Sequence, residues 1–377
     1  MAEEAADPRL AEELHGSARA SLELPRRAPD DEEMPRVQLT RRRAIAFGIF
    51  VLAAIAFLYF VLPQISGVKQ TLHRVSDGDR LWLAVALGFQ VAAVVSYVAI
   101  FHGVHVPPGS PLTHRDSYLI TMAGLAATRL FAAAGAGGVA LTAWALRRSG
   151  MERREVAERM IAFLVLLYGV YLLAMIVCGL GLRTGLFPGD APLALTILPA
   201  IIGALGIFVV LPLALVPEDV ERRAIGRIAP RSPRAARWLR RLASGPASMR
   251  DGVRFSLAKA LRPDAAMIGV VTWWAFNVAV LWACFRAFGN APPIAVLVQA
   301  FFVGMLANLL PIPGGIGGVD GGMIGALVAF GVGANLALLA VLAYRLFAFW
   351  LPTIPGVIAY FQLRRRVQRW RARPYTL

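Results

Sequence analysis

The sequence predicts an all-α, polytopic membrane helical bundle of two inverted repeats, each carrying a re-entrant hairpin of broken helices. Three observations predict it. Apolar runs long enough to cross a bilayer recur along the 377-residue chain, which is 58% hydrophobic and 16% charged. Basic residues gather in blocks beside those runs. A stretch that helices do not tolerate, "PIPGGIGGVDGG" (311–322), lies between two of the most apolar segments.

Residues 1–40 are polar, acidic and proline-containing without apolar periodicity, so they read as a disordered cytoplasmic tail. The first apolar core begins only after residue 43, too late for a secretory signal, and "RRRAIAFGIFVLAAIAFLYFVL" (41–62) reads as a retained first span. Further apolar segments follow at about 81–101, 118–146, 158–182, 192–216, 266–288, 295–333 and 338–362. The blocks 147–159, 217–263 and 364–373 are rich in arginine and are expected on the cytoplasmic side. The transmembrane domain is thus 41–366, and 367–377 is a basic cytoplasmic tail. Within 217–263, "RAARWLRRLASGPASMRDGVRFSLAKAL" is either an amphipathic helix on the inner leaflet, with Trp238, Leu239 and Leu242 inward, or a solvated linker.

These charges constrain the threading. Span 44–62 leaves the cytoplasm and 81–101 returns. Because 102–117 and 147–159 are then both inside, 118–146 must enter and leave by one face. It is too short for two full spans of roughly 20 residues each. The same bookkeeping makes 295–333 a hairpin from the outer face, so that 338–362 ends inside. The halves also match in sequence: "GFQVAAV" (88–94) with "AFNVAVL" (275–281), "GAGGV" (135–139) with "GIGGV" (315–319), and "AERMIAF" (157–163) with "AYRLFAF" (343–349). Gln90 falls on Asn277, Thr128 on Asn308, and Arg159 on Arg345. The repeats span about 81–182 and 266–362, and inverted repeats of this kind bind substrate near the midplane at broken helices.

The net charge of +16 first suggests nucleic acid, but its placement beside apolar runs indicates anionic lipid heads instead. Cys178 and Cys284 fall inside apolar runs without ligand or disulfide spacing. No catalytic triad, phosphate loop or helical zinc motif is present, so no catalytic, cofactor or metal residue is assigned. Arginine far outnumbers lysine and alanine is abundant, a bias read as that of a high-GC bacterium; the expected location is its inner membrane, with both termini cytoplasmic by the basic blocks.

Arg345, Arg129 and Arg159 are the candidate substrate-binding cations. An arginine inside a span costs roughly 2.5–3.5 kcal/mol on insertion scales and therefore faces a partner or a cavity. Its planar fork suits phosphate; the competing role for Arg345 is a fixed ion pair with Asp320, and for Arg159 an interfacial anchor. Asp320 can relay protons, balance Arg345 or cap a half-helix starting at Gly321. Gly314, Gly315, Gly317 and Gly318 either bring backbone N–H groups to an anion or allow close helix packing. Asn277, Gln90, Gln299 and Asn308 read as buried amides. Trp273, Trp274, Trp282 and Trp350 fit an interfacial belt or lipid contact.

"NLLPIPGGIGGVDGGMIGAL" followed by "AVLAYRLFAFWLPTIPGVIAYFQLRRR" resembles the membrane region of lysylphosphatidylglycerol synthases, also found alone as flippase-like proteins. The resemblance covers roughly 44–366 and is strongest at 308–363. It rests on P-x-P-G-G-x-G-x-x-[DE]-G with a later Tyr344-Arg345 and W-L-P, and it adds Tyr344 to the candidate site. Members usually carry glutamate at the position of Asp320. The resemblance implies movement of phospholipid between leaflets; the fused aminoacyltransferase domain is not expected in a chain ending at Leu377. The expected ligand is an anionic phospholipid or a polyprenyl-phosphate-linked lipid. The rivals are a membrane transferase acting on a lipid-linked substrate, and a non-catalytic partner of a cytoplasmic enzyme. A homo-oligomer stays open.

Overall fold

The computed structural model describes residues 78–130, 136–215, 233–262, 264–309, 315 and 317–371. The expected tail 1–40, the first span at 44–62 and Gly314 lie outside the described residues. Among those described there are eleven α-helices and no strand.

Four long helices, α1 (Arg80–His105), α4 (Arg153–Arg183), α5 (Leu193–Val210, prolonged by a 3₁₀ turn, Leu211–Leu215) and α7 (Ala265–Phe288), are apolar enough to cross a membrane. A fifth span is composite: α10 (Ala334–Arg345), a π-helical turn (Leu346–Trp350) and α11 (Leu351–Arg371). A helix of 26 residues such as α1 reaches about 39 Å at 1.5 Å per residue, against a hydrocarbon core of about 30 Å. Phe208 (75% exposed) and Ile354 (64% exposed) belong to an outer surface of large apolar side chains that lipid would solvate. The architecture is a multi-pass membrane bundle.

Four helices are too short to span: α2 (His114–Leu130), α3 (Ala136–Arg148), α8 (Ile294–Leu306, followed by a 3₁₀ turn at Ala307–Leu309) and α9 (Gly318–Ala329). At 12 to 17 residues they reach about 18 to 26 Å. They pair as α2 with α3 and α8 with α9, in the two segments where the charge bookkeeping required hairpins. The α9 half-helix begins at Gly318, three residues before the expected Gly321.

Helices α1 and α7 are antiparallel along their whole length. The Asp79 N–H at the start of α1 donates to the Ala287 carbonyl at the end of α7 (2.9 Å). At the other end, a Cβ on Gly103 would lie 2.8 Å from the Ala266 Cβ. Both helices start on an aspartate cap: Asp79 accepts from Leu81 N–H (2.9 Å), and Asp264 accepts from Ala266 and Met267 N–H (3.1 Å each). Hairpin α2–α3 is joined by short connections to the end of α1 and the start of α4. Hairpin α8–α9 is joined to the end of α7 and the start of α10. Because α1 and α7 run oppositely, the two hairpins attach at opposite ends of this pair. Midway, Phe89 and Phe276 stack at 6.1 Å, and these two residues are equivalent in the internal alignment. The packing is also reciprocal: α2 lies on α11, while α8 lies on α4.

Each hairpin closes on a seam of glycines. A Cβ on Gly138 would lie 2.6 Å from the Gly124 carbonyl oxygen, and one on Gly304 would lie 2.9 Å from Met323 N. A Cβ on Gly322 would lie 3.3 Å from Gly304 Cα, so α8 and α9 touch backbone to backbone. Gly124 and Gly304 share the offset that aligns "GAGGV" with "GIGGV".

Helix α6 (Pro233–Ala260) packs on α4 and on the turn after α5. Arg154 bonds Asp251 (2.7 Å), and Arg254 Nε donates to the Ala214 carbonyl (2.8 Å). The solvated-linker alternative for this part of 217–263 is corrected: it is a helix of the bundle. The tryptophan belt also needs correction. Trp274 turns inward, donating to the Leu167 carbonyl (2.8 Å) against Tyr171 and Phe302, and Trp282 meets Trp82 edge-on at 5.1 Å. Both are partly buried and pack against the core. Trp350 stays 53% exposed.

At the start of α2, Thr113 and Asp116 form a capping box, and Arg366 Nε on α11 donates to Asp116 Oδ1 (2.9 Å). Burial alone would raise the Asp116 carboxyl pKa, but the hydrogen bonds from Arg366 and Thr113 outweigh it and hold the value below the usual range. A carboxyl depressed in the folded state stabilises above its unfolded pKa, and that stability disappears as pH falls through the folded value. Melting of the detergent-solubilised protein should therefore decline below about pH 5. Asp116→Asn should start less stable and show a flatter decline in that window.

Candidate functional site

The candidate site forms where the composite span is weakest. Pro352 brings no N–H for the Ala348 carbonyl four residues back, and Pro355 brings none for Leu351. Just upstream the ladder slips into π register, with Leu351 N–H donating to the Leu346 carbonyl. Backbone oxygens at this break need donors from elsewhere.

Arg129, in the last turn of α2, supplies them. Its Nη2 donates to the Ala348 carbonyl (2.9 Å), and Nη1 donates to the Phe349 carbonyl (2.6 Å) and to Thr353 Oγ1 (3.2 Å). Gly356 makes this reach feasible, since a Cβ there would lie 2.8 Å from the Met122 carbonyl oxygen. Arg345, the last residue of α10 and 9% exposed, pairs through Nε with Asp320 Oδ1 at 2.5 Å. Both guanidinium groups lie against one ring: Arg129 is 5.1 Å and Arg345 4.6 Å from the Phe349 centroid. Two cations therefore share one aromatic ring inside the bundle, and one of them, Arg345, pairs with a carboxylate.

Asp320 does two of the three things expected of it. Besides pairing with Arg345, its Oδ2 accepts from Gly317 N–H (3.0 Å) and so caps α9. Gly317 (φ +82°) and Gly315 (φ +62°) occupy left-handed backbone that other residues rarely adopt. Gly318 opens the first turn of α9. Tyr344 is buried on α10, its hydroxyl 3.5 Å from Asn277 Oδ1, and Asn277 Nδ2 donates to the Trp273 carbonyl (2.8 Å). Tyr344 and Asn277 thus tie α10 to α7 next to Arg345.

Two candidates are placed otherwise. Asn308 is exposed, not buried: it is the middle residue of the turn after α8, and a Cβ on Gly315 would lie 2.6 Å from its Oδ1. Arg159 stands apart from the Arg129–Arg345 cluster. Its Nη1 donates to the Val104 carbonyl (2.7 Å), its Nε pairs with Glu155 (3.0 Å), and it lies 5.2 Å from the Phe255 ring centroid. Phe349 and Thr353 were not singled out from sequence, although Pro352 in the W-L-P motif marked the broken ladder they serve.

The family profile described as Lysylphosphatidylglycerol synthase TM region matches residues 44–356. The chain belongs to this family. Three UPF0104 membrane proteins of Methanothermobacter thermautotrophicus are similar to it. One is 38% identical over 87 residues, which is 23% of this chain and 25% of the relative. Another is 32% identical over 87 residues, covering 23% of this chain and 26% of the relative. The chain spans about a quarter of the length of these relatives (25% and 26%).

Proposed function

We propose that the protein carries an anionic phospholipid or a polyprenyl-phosphate-linked lipid between leaflets, with the headgroup phosphate bound at Arg345. The observation that carries this reading is the gathering of two guanidinium groups, Arg129 and Arg345, on the Phe349 ring, with Arg345 also paired with Asp320. A phosphate competes with Asp320 for Arg345, and the first-turn N–H groups of α9 around Gly317 and Gly318 offer it further donors. The glycine seams bring these groups together, while Tyr344 and Asn277 hold Arg345 in place. Arg129 is occupied by backbone, so its part is to keep the broken span intact and to add positive field.

In this reading the two halves are inverted repeats. The antiparallel α1 and α7, the Phe89–Phe276 stack and the reciprocal packing of the hairpins support that arrangement. Rocking of one half against the other then exposes the site alternately to each leaflet while the lipid tails stay in the bilayer. In this reading both termini lie in the cytoplasm of a bacterial cell, which the placement of the basic blocks supports. Reconstitution in liposomes with fluorescent phosphatidylglycerol tests the proposal. Exchange between leaflets should drop at least about tenfold in Arg345→Ala, the loss of roughly one charge-assisted hydrogen bond. Arg345→Lys should recover part of it. Equal exchange in Arg345→Ala and the parent protein overturns the reading.

A further inference from the structure

A second feature lies away from the arginine pair. Helices α4, α5 and α6 enclose a groove of about 420 Å³. Its walls are Leu166, Gly169, Leu173, Ile207 and Leu257, with Val253 closing the side toward α6. Such a surface is poorly matched to water but well matched to a hydrocarbon chain. The groove is open along part of its length, and α4 and α5 are membrane-crossing helices, so lipid tails reach it directly.

The helix that forms one wall is strongly basic. Between Ala247 and Ala260, where its side chains are described, α6 carries Arg250, Arg254 and Lys259 against Asp251; Arg250 is buried and pairs with Asp251, and Lys259 pairs with Asp264 just past the helix. Residues 233–246 of the same helix add Arg234, Arg237, Arg240 and Arg241 and no acid. Arg254 follows the lining residue Val253 on α6, and its Nε donates to the carbonyl of Ala214, three residues past the lining residue Leu211. Clustered arginine and lysine at a membrane surface attract anionic headgroups by about 1 kcal/mol per residue.

We infer that this groove binds one anionic phospholipid, with an acyl chain along α4 and α5 and its phosphate against Arg254 and the basic face of α6. The lipid fastens α6 to the spans it packs on. This site shares with the transport reading only the choice of an anionic phospholipid as ligand, and it does not require that lipid to be moved.

Gly169 provides the test. A Cβ there meets nothing within 4 Å, so Gly169→Leu places a side chain in the groove without a clash at its base and with a better helix former. The purified full chain is mixed with phosphatidylglycerol, with phosphatidylcholine, or with glycerol phosphate, and retained molecules are counted by native mass spectrometry alongside the melting temperature. The parent protein should retain phosphatidylglycerol and melt higher with it, while glycerol phosphate alone does neither. Gly169→Leu should lose both responses to phosphatidylglycerol. Arg254→Glu should weaken phosphatidylglycerol retention roughly tenfold with little change for phosphatidylcholine. Equal retention of the two lipids by the parent protein, or unchanged phosphatidylglycerol retention in Gly169→Leu, overturns the inference. Leaflet exchange in Arg345→Ala is read separately, so this site can fail while the transport reading stands, and the reverse.

Discussion

Arg129→Ala is expected to lower the stability of the folded protein by about 2–4 kcal/mol, read as a fall in melting temperature in detergent. The Ala348 carbonyl, facing Pro352, loses the donor that reaches it across the bundle, while the Phe349 carbonyl loses Arg129 but keeps the Thr353 hydroxyl (2.6 Å). A buried group left without its partner costs about 1–3 kcal/mol. Removing a half-buried cation beside Arg345 gives some of that back, which keeps the net below the plain sum. Arg129→Lys should recover less than half, because one ammonium cannot span two carbonyls and Thr353 as a planar fork does. The decisive control is Pro352→Ala. In the Arg129→Ala background it restores an N–H four residues after Ala348, and it should recover about 1 kcal/mol. In the parent protein the same change should bring little, since Arg129 already serves that oxygen. Additive effects of the two substitutions would show that Arg129 does not stand in for the missing backbone donor.

That pairing also shows where a sequence stops being readable. The hairpins were legible because charge constrains them: the arginine block at 147–159, on the same side as 102–117 once the first spans are threaded, leaves 118–146, too short for two crossings, only one way to run. The Asp320 cap and ion pair were legible because one acid sits between a glycine-rich break and a downstream arginine. Arg129 was visible as an anomaly, but its partners are backbone oxygens 219 and 220 residues away, and a carbonyl has no letter of its own. Only Pro352 hinted that an oxygen would be left over. The Gly124 and Gly304 seams were hidden for another reason. In a chain with 35 glycines a single glycine carries little information until a neighbouring backbone is seen against it. Trp274 and Asn308 erred in opposite directions, since hydropathy does not say which side of an apolar helix meets protein or where a break exposes an amide.

The Arg345–Asp320 pair should behave as a coupled unit. Each single alanine substitution should destabilise by about 2–4 kcal/mol, somewhat below the 3–5 kcal/mol for a fully buried pair. The discount follows from the partial exposure of the two side chains, 11% for Arg345 and 19% for Asp320. Arg345→Ala takes the Nε partner from a carboxylate that also accepts from Gly317 N–H; Asp320→Ala takes the carboxylate from Arg345 and removes the acceptor at the start of α9. The double substitution should cost less than the sum of the singles by about 1–3 kcal/mol, which thermal melting of the four proteins measures. Asp320→Asn separates the pair's structural part from its part in transport. It keeps an oxygen for the Gly317 cap but removes the charge that competes for Arg345. If a lipid phosphate takes the place of Asp320, this variant should bind anionic phospholipid more tightly and exchange it more slowly, because no carboxylate remains to displace the headgroup. If the pair is only a strut, Asp320→Asn loses stability and exchange together with no gain in binding. Opposite movement of affinity and rate is therefore the signature of an arginine that alternates between two anions.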